Sequence, residues 1–155
     1  RIALGGILFP HSAQKLLGWF GGYGFTASMG YMTETVGLPW IVGFAAILFE
    51  FFGSLLLLAG LGGRLVAFGT VFLMVGIITT VHLPFGFFMD WDGVMQGEGY
   101  EFHLLYIGAA LGLMLNGSGK YSVDALLTAR QAAVSRPAPE KRAERRPVPE
   151  KVFAD

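Results

Sequence analysis

Four apolar segments separated by short polar links are the feature that most constrains this chain. They cover approximately residues 1–20, 39–61, 65–88 and 102–115. A helix that spans a bilayer needs roughly 20 mostly apolar residues, and the first three segments reach that length. The fourth is short unless its first turn includes Tyr100 and Glu101. Because soluble helices that are apolar all round would have no polar face for water, we predict an all-α integral membrane protein, a four-helix bundle.

The composition excludes several other classes of protein. The chain has 155 residues, of which 54% are hydrophobic and 14% are charged, whereas a soluble domain carries about 25% charged residues. It has no cysteine, which excludes a disulfide scaffold, thiol redox chemistry and a cysteine zinc site. Eleven basic and eleven acidic residues give a net charge of zero, which argues against a nucleic-acid partner. The predicted partner is therefore the lipid bilayer.

The basic residues predict the orientation in the membrane. Eight of the eleven Lys and Arg residues lie at or after Lys120. Four spans place both chain ends on one side, together with the link at Arg64, whereas the links at 21–38 and around Asp90 contain no basic residue. Because cytoplasmic loops are enriched in Lys and Arg, we predict that the N- and C-termini are cytoplasmic. Aromatic residues flank the spans on the opposite side, as in an interfacial belt: Trp19, Tyr23, Trp40, Trp91 and Tyr100.

The same charge pattern divides the chain into two predicted parts. Residues 1–127 form the transmembrane domain. Residues 128–155 are rich in Pro, Arg, Lys and Glu and poor in apolar side chains, a composition typical of disordered segments. We therefore predict a disordered, charged and Pro-rich cytoplasmic tail. Asp124, between the two parts, is predicted to cap a short amphipathic segment after the membrane.

A few ionisable residues fall inside the apolar segments, where they are costly and usually functional. Glu50 lies roughly 16 Å deep by helix rise, too deep to reach water, so it must be protonated or paired with Lys15 or His11. We predict a polar cavity in the outer half of the bundle. His11 and Glu50 would form its floor, and its walls would contain the remaining ionisable residues: Lys15, His82, Glu101 and His103.

Each of these residues also has a plainer interpretation. Lys15 could extend outward to water, and a pair with Glu50 could be purely structural. His82 and His103 could be interfacial residues without a role. Two histidines would be enough to bind haem or a metal, but no other feature of the sequence supports such a site, so no metal site is assigned. Small residues at four-residue spacing, Gly18 with Gly22 and Gly108 with Gly112, are expected to let helices pack closely.

Several motifs resemble those of the DoxX family of small membrane proteins. GGILFPHSAQKLLGWFGG resembles the first helix of that family and LPWIVGFAAILFEFFGSLLLLAGLGGR the second. VHLPFGFF and GEGYEFHLL carry a matching His82 and Glu101, and GSGKYSVDALL resembles the segment after the last helix. Ser12 stands where a glycine is expected. The resemblance covers about residues 1–127 and implies a four-helix protein of the bacterial inner membrane.

The resemblance implies function only broadly, because such relatives include a quinol oxidase subunit, redox-stress proteins and cargo receptors. Our first hypothesis is a redox-linked, quinone-associated subunit, in which His11, Lys15, His82 and His103 bind a quinone or a small sulfur oxyanion. Glu50 and Glu101 would act catalytically by relaying protons. With no cysteine and no flavin or dinucleotide fingerprint, electron transfer would need a partner, a quinone or haem.

Two alternatives remain open at this stage. The chain could be a non-enzymatic scaffold or assembly factor, with a membrane or cytosolic protein partner or further copies of itself. Its basic tail would then bind anionic lipid or that cytosolic partner. A small carrier is the third hypothesis, which the absence of a visible inverted repeat disfavours.

Overall fold

A computed structural model describes residues 1–135, and all the regular secondary structure in this part of the chain is helical. Residues 136–155, most of the predicted tail, lie outside the described residues. A π-helical turn, Tyr31–Thr35, follows the second α-helix of the chain. The fourth α-helix is extended by a second π-helical turn, Ile78–His82, and then by a 3-10 turn, Leu83–Phe85. The all-α prediction is confirmed for the described residues. Their six α-helices are α1 (Ile2–Leu17), α2 (Gly24–Gly30), α3 (Trp40–Ala59), α4 (Gly63–Ile77), α5 (Glu101–Asn116) and α6 (Val123–Val134).

The four long helices pack around one apolar core. The most extensive contacts join α1 to α3 and α4 to α5, and smaller ones join α3 to α4 and α1 to α5. All four helices contribute buried side chains to the core, among them Leu8, Leu57, Met74 and Ala110. The short helix α2 lies in the predicted link at 21–38 and packs on α1 and α3. That link is therefore a structured layer and not a simple connection.

Glycines set the ends of the first and third helices. Gly18 follows α1 with φ 72°, and Gly60 and Gly62 turn the chain between α3 and α4 with φ 73° and 63°. Side chains other than glycine rarely adopt these angles. α1 consequently stops at Leu17, short of the predicted Phe20. The expectation that Gly18 and Gly22 form a helix-packing pair is wrong, because both lie beyond the end of α1.

The bundle has two distinct ends. The terminal end holds Arg1, the α3–α4 turn and the start of α6; here the Arg1 guanidinium donates to the carbonyls of Leu57 and Tyr121, each at 2.9 Å. The loop end holds the two long connections, residues 18–39 and 86–100. There His82 Nδ1 donates to the Glu98 carbonyl at 2.7 Å, which ties the second connection to the end of the α4 extension.

The segment after α5 differs from the prediction in two respects. Residues 128–134 were expected to belong to the disordered tail, but α6 continues through them to Val134. Its cap is Ser122, whose hydroxyl accepts from the Ala125 N–H at 3.2 Å. Asp124 instead accepts from the Gly62 and Gly63 N–H groups at 2.8 and 3.2 Å. It therefore caps α4 and ties the start of α6 to the bundle.

Two helices within residues 1–135 are long and apolar enough to cross a membrane, judged by length and composition. Trp40–Ala59 has a mean hydropathy of 2.3 and Gly63–Phe85 one of 2.0; α5 is a shorter apolar helix. Only 33% and 22% of their most apolar windows are buried, and Leu65, for example, is 75% exposed. Apolar surface this extensive marks an interaction with lipid or another protein.

Candidate functional site

An ion pair between α1 and α3 is the central feature of the site. Lys15 Nζ lies 2.8 Å from Glu50 Oε1 and 2.7 Å from Oε2. The Glu50 side chain is 2% exposed and that of Lys15 is 33% exposed. Of the two partners predicted for Glu50, the structure selects Lys15. Because Lys15 is directed to the carboxylate, it does not extend outward to water.

Close packing of α1 on α3 brings this pair together. A β-carbon added at Gly5 would lie 2.9 Å from both the Ser54 carbonyl oxygen and the Leu58 side chain. Glycine therefore lets the two helices approach closely near the terminal end. From there they continue side by side to the level of the pair, where a long lysine side chain reaches the buried carboxylate.

A cavity of about 970 Å³ adjoins the pair. It lies between α3 and α4, and residues of α2, its π-helical turn and the following link cover its loop end. Most of its lining is apolar, including Phe49, Phe72 and Leu73, and its charged or ionisable groups are Lys15, Glu50, His82 and two tyrosines, Tyr23 and Tyr31. A cavity toward this end was predicted, but its predicted polar character is wrong. The reason is that three of the six predicted residues do not line it.

His11 is the first of these three. It is exposed and does not line the cavity, so its predicted place beside Glu50 is wrong. The inward face of α1 is formed by residues such as Leu8 and Ser12, which are buried. Successive residues of an α-helix are rotated by about 100°, so His11 is directed away from the face that carries Ser12.

His103 is the second, and it lies behind the cavity wall. Its ring packs against that of His82 in a tilted arrangement, with centroids 4.3 Å apart and planes inclined by 43°. Since His82 Nδ1 donates to the Glu98 carbonyl, a neutral His82 has Nε2 free to accept a hydrogen bond. His103 Nδ1 is buried without a hydrogen-bond partner among the described residues. The π-helical turn Ile78–His82 ends at this pair, and such turns are frequent at functional sites.

Glu101 is the third predicted residue that does not line the cavity, and it holds the connection formed by residues 86–100. Its Oε1 accepts from the Met89 N–H at 3.2 Å and from Trp91 Nε1 at 3.1 Å. Glu98 acts in the same way, because its Oε2 accepts from the Asp90 N–H at 2.8 Å. Glu101 therefore holds the loop in place and lies outside the cavity wall.

Sequence reasoning missed the residues that cover the cavity. Tyr23, Tyr31 and Met32 belong to the connection that was treated as a simple link. Met29 is buried, and Gly43 of α3 lies against Met29 and Met32. The signal was present, because apolar residues at 25, 29 and 32 have helical spacing.

No metal cluster accompanies these side chains in residues 1–135. No group of three or more His, Asp or Glu residues in that part of the chain is arranged to hold a metal ion. The ionisable groups at the cavity are thus one ion pair, one histidine and two tyrosines.

The DoxX family model matches residues 1–83, just over half of the chain. The chain belongs to the DoxX family. Comparison with curated proteins and with solved structures gives no match. Membership identifies a small membrane-associated protein and confirms the family resemblance found in the sequence. The part that matches the DoxX model contains Lys15, Glu50 and His82, whereas Glu101 and His103 follow it.

Proposed function

We propose that this DoxX-family protein is a four-helix bundle of the bacterial inner membrane that binds a quinone as a subunit or accessory of a redox enzyme. Its spans would be α1, α3, the extended α4 and α5. In this proposal residues 1–127 form the membrane domain and residues 128–155 a charged cytoplasmic segment. The electron donor would be a protein partner, because this chain offers no cysteine and no flavin fingerprint.

The exposed surface supports a membrane location. The apolar faces of α3 and α4 are mostly unburied, and a bilayer is an apolar solvent for them. α1 and α5 have 16 residues each, or roughly 24 Å of helix, shorter than the roughly 30 Å of hydrocarbon. Local thinning of the bilayer accommodates such a difference at modest cost.

The charge distribution supports cytoplasmic termini. Basic side chains at the terminal end include Arg1, Arg64 and Lys120, while the loop end carries Glu34, Asp90 and Asp92. This arrangement follows the positive-inside rule. Exposed aromatic residues at the loop end fit an interfacial belt: Trp19, Tyr23, Trp40 and Trp91.

The observation that carries the quinone proposal is the large apolar cavity with a neutral ion pair beside it. A quinone has an apolar ring and two carbonyl acceptors. Lys15 has three N–H donors and its contacts with Glu50 leave capacity for a ligand carbonyl, while His82 contributes a second polar group to the wall. A small sulfur oxyanion fits less well, because Glu50 already balances the charge of Lys15.

Polar contacts must provide most of the affinity. Moving an apolar ring from lipid into an apolar cavity gains little, because lipid tails are as apolar as the lining. A hydrogen bond from Lys15 to a carbonyl in this largely apolar setting is stronger than it would be in water. Reduction of a quinone to a quinol takes up two electrons and two protons; the electrons come from the partner, and Glu50 and His82 are the adjacent groups able to carry protons.

Binding of a quinone to the full chain in lipid nanodiscs tests this proposal. The probe is a decyl-tailed benzoquinone, titrated against wild type, the double variant Lys15→Met/Glu50→Leu and the control His11→Ala. We expect wild type and control to bind alike and the double variant to lose roughly tenfold or more in affinity, the value of one charge-assisted hydrogen bond. Wild-type affinity in a folded double variant would refute the site.

One observation favours a scaffold as the second candidate. Added β-carbons at Gly108 and Gly112 of α5 would meet no atom within 4 Å, so this small-residue face has no partner among the described residues. Small residues let transmembrane helices approach closely. If the protein is mainly a scaffold, Gly108→Leu with Gly112→Leu will dissociate its complexes, while removal of the Lys15–Glu50 pair leaves those complexes intact.

A further inference from the structure

We propose that the cavity opens sideways into the bilayer between α3 and α4, so that its ligand enters from the lipid and not from water. The opening follows from the helix geometry alone. The identity of the ligand as a tailed quinone rests on the function proposed above. The inference narrows the ligand class to molecules with a polar head and an apolar tail that dissolve in the membrane.

The two helices touch at one end and separate toward the other. The turn at Gly60–Gly62 joins them at the terminal end. Beyond it a β-carbon at Gly53 would touch Val66, and one at Gly69 would meet the Phe49 ring. The cavity lies on the loop side of this last contact, because its α3 residues fall within 42–50 and its residues from α4 and its extension within 69–82.

Three sides of the cavity are covered and one is not. Lys15 of α1 closes the side toward the bundle centre, and residues 23–38 cover the loop end. The contact of Phe49 with Gly69 closes the terminal side. α5 contributes no lining residue, and no further element within residues 1–135 makes extensive contact with both α3 and α4. The lateral side is therefore the opening.

The mouth is apolar and continuous with the lipid-facing surface of α4. Phe72 lines the cavity and is 65% exposed, and Phe68 and Val75 beside it are also exposed. An added β-carbon at Gly76, another lining residue, would meet no atom within 4 Å. An ionic ligand would have to shed its water to cross such a mouth, which is costly, whereas a tailed molecule can keep its tail in the acyl chains and bring its head to Lys15.

The first test asks whether lipid reaches the cavity. Because the chain has no cysteine, Ala46→Cys provides a single thiol in the cavity wall of α3, which is then labelled with a fluorophore. We expect phospholipids brominated at mid-chain to quench it in nanodiscs, Gly76→Trp to abolish the quenching, and Val75→Trp to leave it unchanged. Val75 is the adjacent exposed residue that does not line the cavity. If labelled Ala46→Cys without the Gly76 substitution shows no quenching, the proposal is overturned. This result is expected if a second copy of the protein covers the opening.

The second test asks which ligands need the opening. A decyl-tailed benzoquinone should bind Gly76→Trp roughly tenfold more weakly than wild type, because the indole occupies the path of the tail, while tail-less benzoquinone and Val75→Trp should show no change. Equal losses for both quinones, or none for either, would overturn the route. If wild type binds neither quinone while lipid still quenches at residue 46, the quinone function fails and the lateral opening stands.

Discussion

The two ends of the bundle use charged side chains differently. At the terminal end the charges bind backbone: Arg1 binds the carbonyl of Leu57 at the end of α3, Arg64 that of Leu115 at 3.3 Å, and Asp124 the first N–H groups of α4. At the loop end Glu98 and Glu101 also bind backbone N–H groups, but this end has in addition the Lys15–Glu50 pair, which joins two side chains beside a cavity. Charges that satisfy helix ends are structural, whereas a charge that faces a cavity is available to a ligand.

This contrast separates stability from binding. Substitutions at the terminal end should lower the free energy of unfolding without changing quinone affinity. Substitutions of the pair can change both, and a double variant can change affinity alone. The following predictions test that separation, beginning with the largest effect.

Lys15→Met should be the most destabilising change. It leaves Glu50 buried without its partner, a loss that costs about 3–5 kcal/mol of unfolding free energy in comparable buried pairs. Adding Glu50→Leu should restore stability to near that of wild type, because two apolar side chains can replace a buried pair. Thermal unfolding in detergent measures both variants. If Lys15→Met proves as stable as the double variant, the pair does not have the energetic role described here.

Asp124→Ala should lower stability by about 1 kcal/mol, the usual loss for a helix cap, with unchanged quinone affinity. Asp124→Asn is the matched control, because its amide oxygen still accepts from Gly62. Unfolding in denaturant and quinone titration are the measurements. A tenfold change in affinity would show that the two ends are coupled.

The effect of Asp124 should depend on pH in a defined direction. The Ser118 hydroxyl and the Gly62 N–H lower the pKa of this carboxyl below its usual value of 3.8. A lowered pKa in the folded state adds stability above the unfolded-state pKa and loses it as pH falls through the folded-state pKa. The difference in unfolding temperature between wild type and Asp124→Asn should therefore be constant at neutral pH and shrink below about pH 4. A difference that shrinks already near neutral pH would refute this origin.

Glu101→Gln should have a small effect, within about 0.5 kcal/mol, because an amide oxygen can still accept from Met89 and Trp91. Trp91 fluorescence should be unchanged in this variant and altered in Glu101→Ala, which releases the indole. The proton-relay role predicted from the sequence makes a different forecast. It requires Glu101→Gln to slow quinone reduction while affinity stays the same.

His11→Ala should have the smallest effect, with stability and quinone affinity both at wild-type values. The imidazole is exposed on the outer side of α1, and truncation of such a side chain is usually neutral. The same titration and melting experiments serve as the measurement. Weaker quinone binding would show that His11 contributes to the binding site, as the sequence predicted.

The sequence predicted the features that depend on depth and failed on those that depend on rotation. An apolar segment around Glu50 fixes how far that residue lies from water, so its need for a partner could be derived. Lys15 and His11 both lie on α1, whereas Glu50 lies on α3. Only the packing of α1 on α3 decides which of the two reaches the carboxylate. Glu101 was expected in the cavity wall and does not lie there, because nothing in the sequence shows that the loop folds back over the start of α5.

The shape of the cavity could not be predicted for a similar reason. It depends on the divergence of α3 and α4 beyond the Phe49–Gly69 contact and on the cover that α2 and its π-helical turn provide. Hydropathy reports which segments are apolar but not how neighbouring segments tilt. The spacing of Phe25, Met29 and Met32 indicates a helix, yet it does not show what that helix covers.

The neutrality of the Lys15–Glu50 pair has a consequence for an energised membrane. A transmembrane potential changes the energy of an unpaired charge that crosses the membrane by about 2.3 kcal/mol per 100 mV. For a tight ion pair the effects on the two opposite charges nearly cancel. An uncharged quinone that binds beside the intact pair therefore moves no net charge through the field. Its affinity should be the same in polarised and depolarised vesicles, so that the occupancy of the site follows the quinone pool and not the voltage.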